Sequence, residues 1–368
     1  MKVLFTTNLL SPYRVDFLNE LGKFCELVVF DESDVIDAKQ RNPEWFSNEY
    51  NNFSVINLKS LKVGKRRLYP SLTKYIKDNQ FNVVVFGGYS TLTQIWGIYN
   101  MNKANIPCFI NLDGAIYSSR KKAKNYLKKI LFMGSSSFLV SGDYTAEYLK
   151  KFNVSSERIY TYPFTSVKQE DVPVRPINTL EKETVRKDFD IKEKNVIVTV
   201  GQFIHRKGFD VLLAAANSFE INTGVYIIGG TPTEEYLTIQ KDNNLSNVHF
   251  IGFQKKEDVL KYFQSADVMV LPTREDIWGL VVNEAMAQGL PVITTDKCVA
   301  GLELITDDQN GYIVPVDDSA ALAEKTMYIL NNEPLKKQMG ENNLLKMQDY
   351  TIENMAAAHM RIFEQFLH

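Results

Sequence analysis

The chain has 368 residues, 45% of them hydrophobic and 23% charged, which suits two ordinary domains and excludes a disordered chain. Its 44 acidic and 42 basic residues leave a net charge of −2, which argues against a nucleic-acid binder and leaves local clusters as the source of any attraction to an anionic surface. Cys25, Cys108 and Cys298 are odd in number and far apart, and the four histidines are scattered, so small reduced core thiols are expected and no metal site.

The first residues, M-K-V-L-F, read as the start of a core strand, without the apolar stretch and small-residue cleavage site of a signal peptide. No window is apolar enough to span a membrane. Strands are expected over 3–7, 26–30, 82–86, 108–112 and 137–140, with helices over 12–22, 71–78, 91–102 and 119–132. Continuous Val, Ile and Phe runs separated by helices indicate a parallel sheet covered on both faces. Residues 166–194 carry Pro173 and Pro176 and little apolar periodicity; they read as a linker plus the leading helix of a second domain. The pattern then restarts, with strands over 196–200, 225–228, 248–251, 268–271, 292–294 and 312–314. Helices are expected over 209–219, 256–265, 280–288 and 319–330. A last amphipathic helix occupies 352–366. The expected organisation is a first domain over 1–168, a second over 169–349, and a terminal helical segment, 350–368, able to pack back on the first. The fold class is α/β, two Rossmann-like doubly wound parallel sheets facing a cleft, and ligands of such sheets bind at the carboxyl ends of the strands.

Two loops carry the chemistry. After the strand at 268–271 a polar loop leads to Gly279 and a helix, whose free backbone N–H groups and dipole form an anion site open to a phosphate. Glu284 stands in that helix's second turn among Val281, Val282, Ala285 and Met286. A carboxylate there needs partners, either ribose hydroxyls or a neighbouring basic residue. The second loop is V-G-Q-F-I-H-R-K-G from Val200 to Gly208. In it Arg206 and Lys207 face a diphosphate at the sheet's carboxyl edge or form a solvated basic turn. Gly229 and Gly230 give a further tight loop at the same edge.

The string D-I-W-G-L-V-V-N-E from Asp276 to Glu284 resembles the E-x7-E signature of glycosyltransferase family 4. Residues 201–208 resemble that family's phosphate-binding turn, N-G-Y-I-V-P at 310–315 its closing strand, and S-P-Y-R at 11–14 the amino terminus of its bacterial polysaccharide enzymes. The resemblance implies a GT-B fold and a metal-independent, retaining hexosyltransferase acting on a nucleotide sugar, with UDP the expected nucleotide and no further cofactor. It implies Glu284 on the ribose, Asp276 or its neighbour Glu275 on the donor sugar, and Lys207 with Arg206 on the leaving diphosphate. Gly279, Leu280 and Val281 would offer backbone N–H groups, and Gly201, Gln202, Gly230 and Phe253 would complete the donor side. Gln202 replaces the family's usual arginine. Where the family carries a histidine in its first domain, this chain has N-L-D-G, so Asp113 either contacts a sugar or caps the next helix. Tyr13 and Arg14 fall on the acceptor side.

The expected acceptor is a glycan or lipid-linked sugar of a bacterial surface polysaccharide, and the expected location is cytoplasmic, peripheral on the membrane's inner face. Basic residues at 120–129 beside Tyr126, Leu127, Ile130 and Leu131, with Lys62, Lys65, Arg66 and Arg67, suit either an anionic bilayer or a solvated face. The alternatives are a GT-B nucleotide-sugar epimerase, which needs no acceptor, and a catalytically silent homologue acting as a binding partner. No G-x-G-x-x-G follows the first strand, which argues against a dehydrogenase.

Overall fold

The first apolar run forms strand β1 (Lys2–Thr7), buried from Val3 onward. In the computed structural model, residues 1–32, 49–64, 66–117, 122–134 and 137–368 are described. They divide into two compact units, Met1–Ser166 with Thr351–His368, and Val167–Tyr350.

In the first unit β1 leads into α1 (Pro12–Leu21), which opens with proline in its first turn, where a missing N–H costs nothing. There follow β2 (Glu26–Asp31), β3 (Ser54–Ile56), the antiparallel hairpin β4 (Leu61–Val63) and β5 (Arg66–Leu68), α2 (Ser71–Asp78), β6 (Val83–Phe86) and α3 (Leu92–Lys103). Next come β7 (Phe109–Leu112), α4 (Lys122–Phe132), β8 (Ser137–Val140), α5 (Asp143–Lys150) and β9 (Ile159–Thr161). Seven strands pair in parallel in the order β3-β2-β1-β6-β7-β8-β9. Central strands such as β6 and β8 are buried at every position, as a sheet covered on both faces requires.

The second unit contains α6 (Thr179–Asp188), β10 (Asn195–Val200), α7 (Phe209–Ala216), β11 (Thr223–Ile228), α8 (Glu234–Asp242), β12 (Val248–Ile251) and α9 (Lys256–Ser265). It continues through β13 (Val268–Leu271), α10 (Leu280–Ala287), β14 (Val292–Thr295), α11 (Val299–Leu304), β15 (Gly311–Val314), α12 (Ser319–Leu330) and α13 (Glu333–Met347). Six parallel strands run in the order β12-β11-β10-β13-β14-β15. The core between this sheet and α7 and α12 centres on Phe209, Leu212, Leu322 and Ile329, all fully buried.

The chain then returns to the first unit with α14 (Ile352–Leu367). Its buried face packs on α1 and the strands: His359 lies 4.7 Å from the Phe17 ring and 4.4 Å from that of Tyr162, and Phe366 lies 4.6 Å from Phe109.

The expected helix at 119–132 is described from Lys122 onward; Lys65, Arg120 and Lys121 lie outside the described residues. Within 166–194 the residues from Val167 belong to the second unit, and the expected leading helix is α6. Cys108 and Cys298 are buried cysteines, and Cys25 is a half-buried one.

Candidate active site

In the second sheet β10 has β11 on one side and β13 on the other. The connections leaving the carboxyl ends of β10 and β13 therefore part in opposite directions and open a crevice between them, the usual ligand position in such sheets. Two loops meet there. The loop after β10 is anchored by Phe203, buried against the rings of Phe209, Tyr236 and Phe250 at 5.5 to 5.8 Å. It turns through one short helical turn, His205–Lys207, and ends at Gly208 with φ 67°. A Cβ at Gly208 would stand 2.0 Å from the Pro272 carbonyl oxygen, so only glycine lets this loop lie on the one after β13. The Arg206 carbonyl accepts from the Arg274 backbone N–H at 2.8 Å and from the Thr273 hydroxyl at 3.0 Å.

This contact brings the two cations against the second loop. Lys207 Nζ donates to Asp276 Oδ2 at 2.6 Å, and Arg206 Nη1 donates to the Glu275 carbonyl at 2.6 Å while standing 3.4 Å from Asp276 Oδ1. The Lys207 and Asp276 side chains are 12% and 13% exposed, against 45% for Arg206. The ion pair is thus recessed, and a second positive charge remains accessible beside it. Asp276 is fixed from behind, its N–H donating to the Lys297 carbonyl at 2.9 Å and its carbonyl accepting from Val299 N–H at 3.1 Å.

Gly279 caps the amino end of α10 with φ 101°. A Cβ there would lie 2.9 Å from Cys298 Sγ and 3.8 Å from Asp276 Cγ. The helix start is therefore held close to the aspartate, and the first-turn N–H groups of Leu280 and Val281 have no partner within the helix. Behind the turn Trp278 is buried, its indole N–H donating to Asn283 Oδ1 at 2.7 Å. Leu280 and Glu284, four residues apart, form the partly exposed stripe of a helix otherwise buried through Val281, Val282, Asn283, Ala285 and Met286. Arg206, Lys207, Asp276 and Gly279 are thereby one cluster, with Glu284 one turn along the adjoining helix.

Arg274 has a role that the motif reading missed. Its guanidinium donates to both carboxylate oxygens of Asp210 at 2.9 and 2.6 Å, to Asp317 at 2.6 Å and to the His205 carbonyl at 2.8 Å. The hydrogen bonds to Asp210 hold it deeper in its charged form. Burial alone would raise the Asp210 carboxyl, but the Arg274 hydrogen bonds outweigh it and hold it below its ordinary range. Arg274 is a brace that fixes one loop against the other. Its signal was a cation three residues past the end of β13, which sequence alone does not distinguish from a ligand-binding arginine.

Gly201 lies within 3.3 Å, measured from an added Cβ, of the Lys207 side chain. Gln202 and Phe253 are exposed on the loops after β10 and β12, and Gly230 faces open space with φ 120°. Among the described residues no three His, Cys, Asp or Glu side chains are grouped to hold a metal ion.

In the first unit Asp113 follows β7 and accepts hydrogen bonds from Arg14, from Asn111 Nδ2 at 2.7 Å and from the Tyr162 hydroxyl at 2.9 Å. The described part of the next helix begins at Lys122. Arg14 is buried and Asp113 is 26% exposed, so the carboxylate is oriented from beneath and open above. Burial raises the Tyr13 and Tyr162 phenols. Tyr162 and His359, neither expected at a site from the sequence, complete this cluster; nothing local in their sequence marks them.

Residues 181–345 match the family of glycosyl transferases group 1. The matched residues lie in the second unit, and the chain is a glycosyltransferase. Over 326 residues, 86% of each chain, it is 25% identical to an uncharacterized glycosyltransferase of Methanocaldococcus jannaschii. It is 29% identical to the O-antigen chain mannosyltransferase C of Escherichia coli over 177 residues, 47% of each chain. Against the capsular polysaccharide biosynthesis glycosyltransferase CapM of Staphylococcus aureus it is 28% identical over 171 residues, 43% of each. The glycosyltransferase thus spans less than half the length of these last two relatives. Its fold is similar to a glycosyltransferase from Rickettsia africae, with TM-score 0.77, 16% identity, and 99% and 98% of the two chains covered. Anabaena HepE in complex with UDP-glucose gives TM-score 0.75 and 14% identity over 100% and 99%. The two parallel sheets are those of the GT-B fold.

Proposed function

We propose that this glycosyltransferase takes a sugar from a nucleoside diphosphate donor, with UDP the expected nucleotide. It passes the sugar, with retained anomeric configuration, to a glycan or lipid-linked acceptor of a bacterial surface polysaccharide, on the cytoplasmic face of the membrane. The observation that carries this reading is the meeting of Arg206 and Lys207 with Asp276 and the amino end of α10 at the crevice of the second sheet. When the glycosidic bond breaks, negative charge gathers on the departing diphosphate and positive charge on the sugar ring. Cations and helix N–H groups already aimed at the diphosphate stabilise that state without reorganisation. In this proposal Arg206 and Lys207 supply the charge, without a metal ion. Leu280 and Val281 supply N–H groups, Glu284 takes the ribose, and Asp276 or Glu275 the sugar hydroxyls. Tyr13 and Arg14 form the acceptor side, and Asp113 is a catalytic residue contacting the donor sugar or the acceptor. The names of the Escherichia coli and Staphylococcus aureus relatives, and the UDP-glucose held by the Anabaena structure, support the choice of substrates.

A thermal-shift screen against nucleotide sugars tests the donor assignment. A true donor at a hundredfold its dissociation constant adds about 2.7 kcal/mol of stability, and Lys207→Ala is expected to lower turnover on the order of a hundredfold or more while remaining folded. Wild-type turnover in that variant sinks the assignment. Product analysis with donor alone separates transfer from epimerisation, which needs no acceptor.

A further inference from the structure

Three neighbouring elements of the first unit carry a surface that the donor site does not use. The hairpin β4–β5 packs against α3, and α3 packs against α4. Each exposes large apolar side chains. On the hairpin they are Leu61 and Val63, two apart and so on one face. On α3 they are Ile95, Trp96 and Tyr99, spaced as one helical stripe. On α4 and the residue after it they are Tyr126, Leu127, Ile130 and Met133, between 54% and 69% exposed. Phe132 is the one buried residue of α4. Of the 23 large apolar side chains exposed among the described residues, these three elements supply nine from less than a tenth of the chain. A concentration of that kind marks an interaction surface, because single exposed apolar residues are ordinary and clusters are not.

The charge of the surface is one-sided. The described residues of the hairpin, α3, and 122–133 hold eight Lys and Arg and no Asp or Glu, in a chain whose net charge is −2. Lys128 is turned inward, its Nζ donating to the Tyr148 hydroxyl at 2.8 Å. Lys122, Lys124 and Lys129 are exposed.

We propose that this face docks the enzyme on a bilayer of acidic phospholipid, with Trp96, Tyr99, Tyr126 and Leu127 entering the headgroup layer and the lysines on the lipid phosphates. Aromatic rings with a polar end, and lysines with apolar stems, suit that layer. A second copy of this chain does not suit it, since a twofold interface sets the face against itself and brings cations onto cations with no carboxylate between. The docking deepens the proposed function, on which it rests only for its use: it brings the transferase to a membrane-borne acceptor.

Flotation of the full chain with vesicles of phosphatidylglycerol and phosphatidylcholine in equal parts, containing neither acceptor nor nucleotide, tests the surface independently of transfer. Wild type is expected to float with these vesicles at low salt, less at high salt, and poorly with phosphatidylcholine alone. Lys124→Glu with Lys129→Glu, and separately Trp96→Ser with Leu127→Ser, are each expected to weaken binding roughly tenfold or more. All four side chains are exposed, so unfolding temperatures should match wild type and exclude misfolding as the cause. A blue shift of tryptophan emission on binding, lost in Trp96→Phe, would report insertion. Absence of wild-type flotation at low salt overturns the proposal, as does equal flotation of wild type and both double variants. An oligomer dissociated by Trp96→Ser with Leu127→Ser, with vesicle binding unchanged, also overturns it and assigns the face to copies of this chain. Vesicle binding without any nucleotide-sugar binding would sink the transfer reading and leave the surface standing.

Discussion

Gly279 shows how much of the candidate site depends on one missing side chain. Its φ of 101° is one that residues with a Cβ rarely adopt, and the added methyl of Gly279→Ala would meet Cys298 Sγ at 2.9 Å. Strained conformations of this kind cost about 1–3 kcal/mol. Relieving the contact shifts the start of α10 or the Cys298 side chain packed against it. Gly279→Ala is therefore expected to lower the midpoint of denaturant unfolding modestly and to abolish the stabilisation given by nucleotide sugar; full retention of that stabilisation would show that the helix start does not hold the donor. The glycine and the acidic positions were legible because the motif spacing is local. The pairing of Lys207 with Asp276 was not, because 69 residues separate the two and only the sheet order brings their loops together. Arg274, Tyr162 and His359 were illegible for the same reason: each acts through partners distant in sequence.

At the scale of elements, the strands buried on both faces were readable as continuous apolar runs, and both sheets follow from them. The short edge strands β3 and β9, at three residues each, are too brief to show a period. The polar helices α8 and α13 carry few apolar positions, so tertiary contact rather than pattern decides them. The leading helix α6 has no buried residue and is held by charge instead. Asp267, 5% exposed, pairs with Lys182 at 3.1 Å, Arg186 at 2.7 Å and Lys336 at 3.2 Å, and accepts from Val196 N–H at 2.9 Å. Burial raises the Asp267 carboxyl, but the three cations outweigh it and hold it far below its ordinary value. Because the folded value is the lower one, this stabilisation is present above the unfolded carboxyl range and is lost as pH falls below about 4. Asp267→Asn leaves buried cations without their counter-charge, and about 3–5 kcal/mol of stability should go with it, read by urea unfolding at pH 7. A loss under 1 kcal/mol would mean that solvent already reaches the cluster.

For the whole molecule, two groups of the first unit shape the pH response of stability between about pH 4 and 7. His359 is 1% exposed, its Nδ1–H donates to the Met355 carbonyl at 2.8 Å, and burial lowers it to about 4. Arg14 and Asp113, the charged groups that act on it, oppose one another. The folded value lies below the unfolded one, so the contribution is complete above about pH 6.5 and is lost as pH falls through about 4. Glu32, pushed up to about 7 by burial, works in the other direction, and its contribution fades as pH rises from about 4.5 through 7. The two slopes overlap, and a difference measurement separates them. The stability gap between wild type and His359→Leu should narrow by about 3 kcal/mol between pH 7 and pH 4; a constant gap would mean that His359 charges freely in the native state.

The last helix has a consequence for how the molecule is made. Residues 352–367 complete the first unit although they leave the ribosome after the whole of the second. During synthesis the opening Rossmann half emerges with the Phe17 and Phe109 surfaces uncovered and waits for more than 180 further residues before its own closing segment arrives. The second unit, continuous in the chain, has no such delay. Nascent chains are therefore most exposed to chaperones and proteases through their oldest part, and a ribosome stalled just before residue 351 would leave a product with a finished second unit and an open first one.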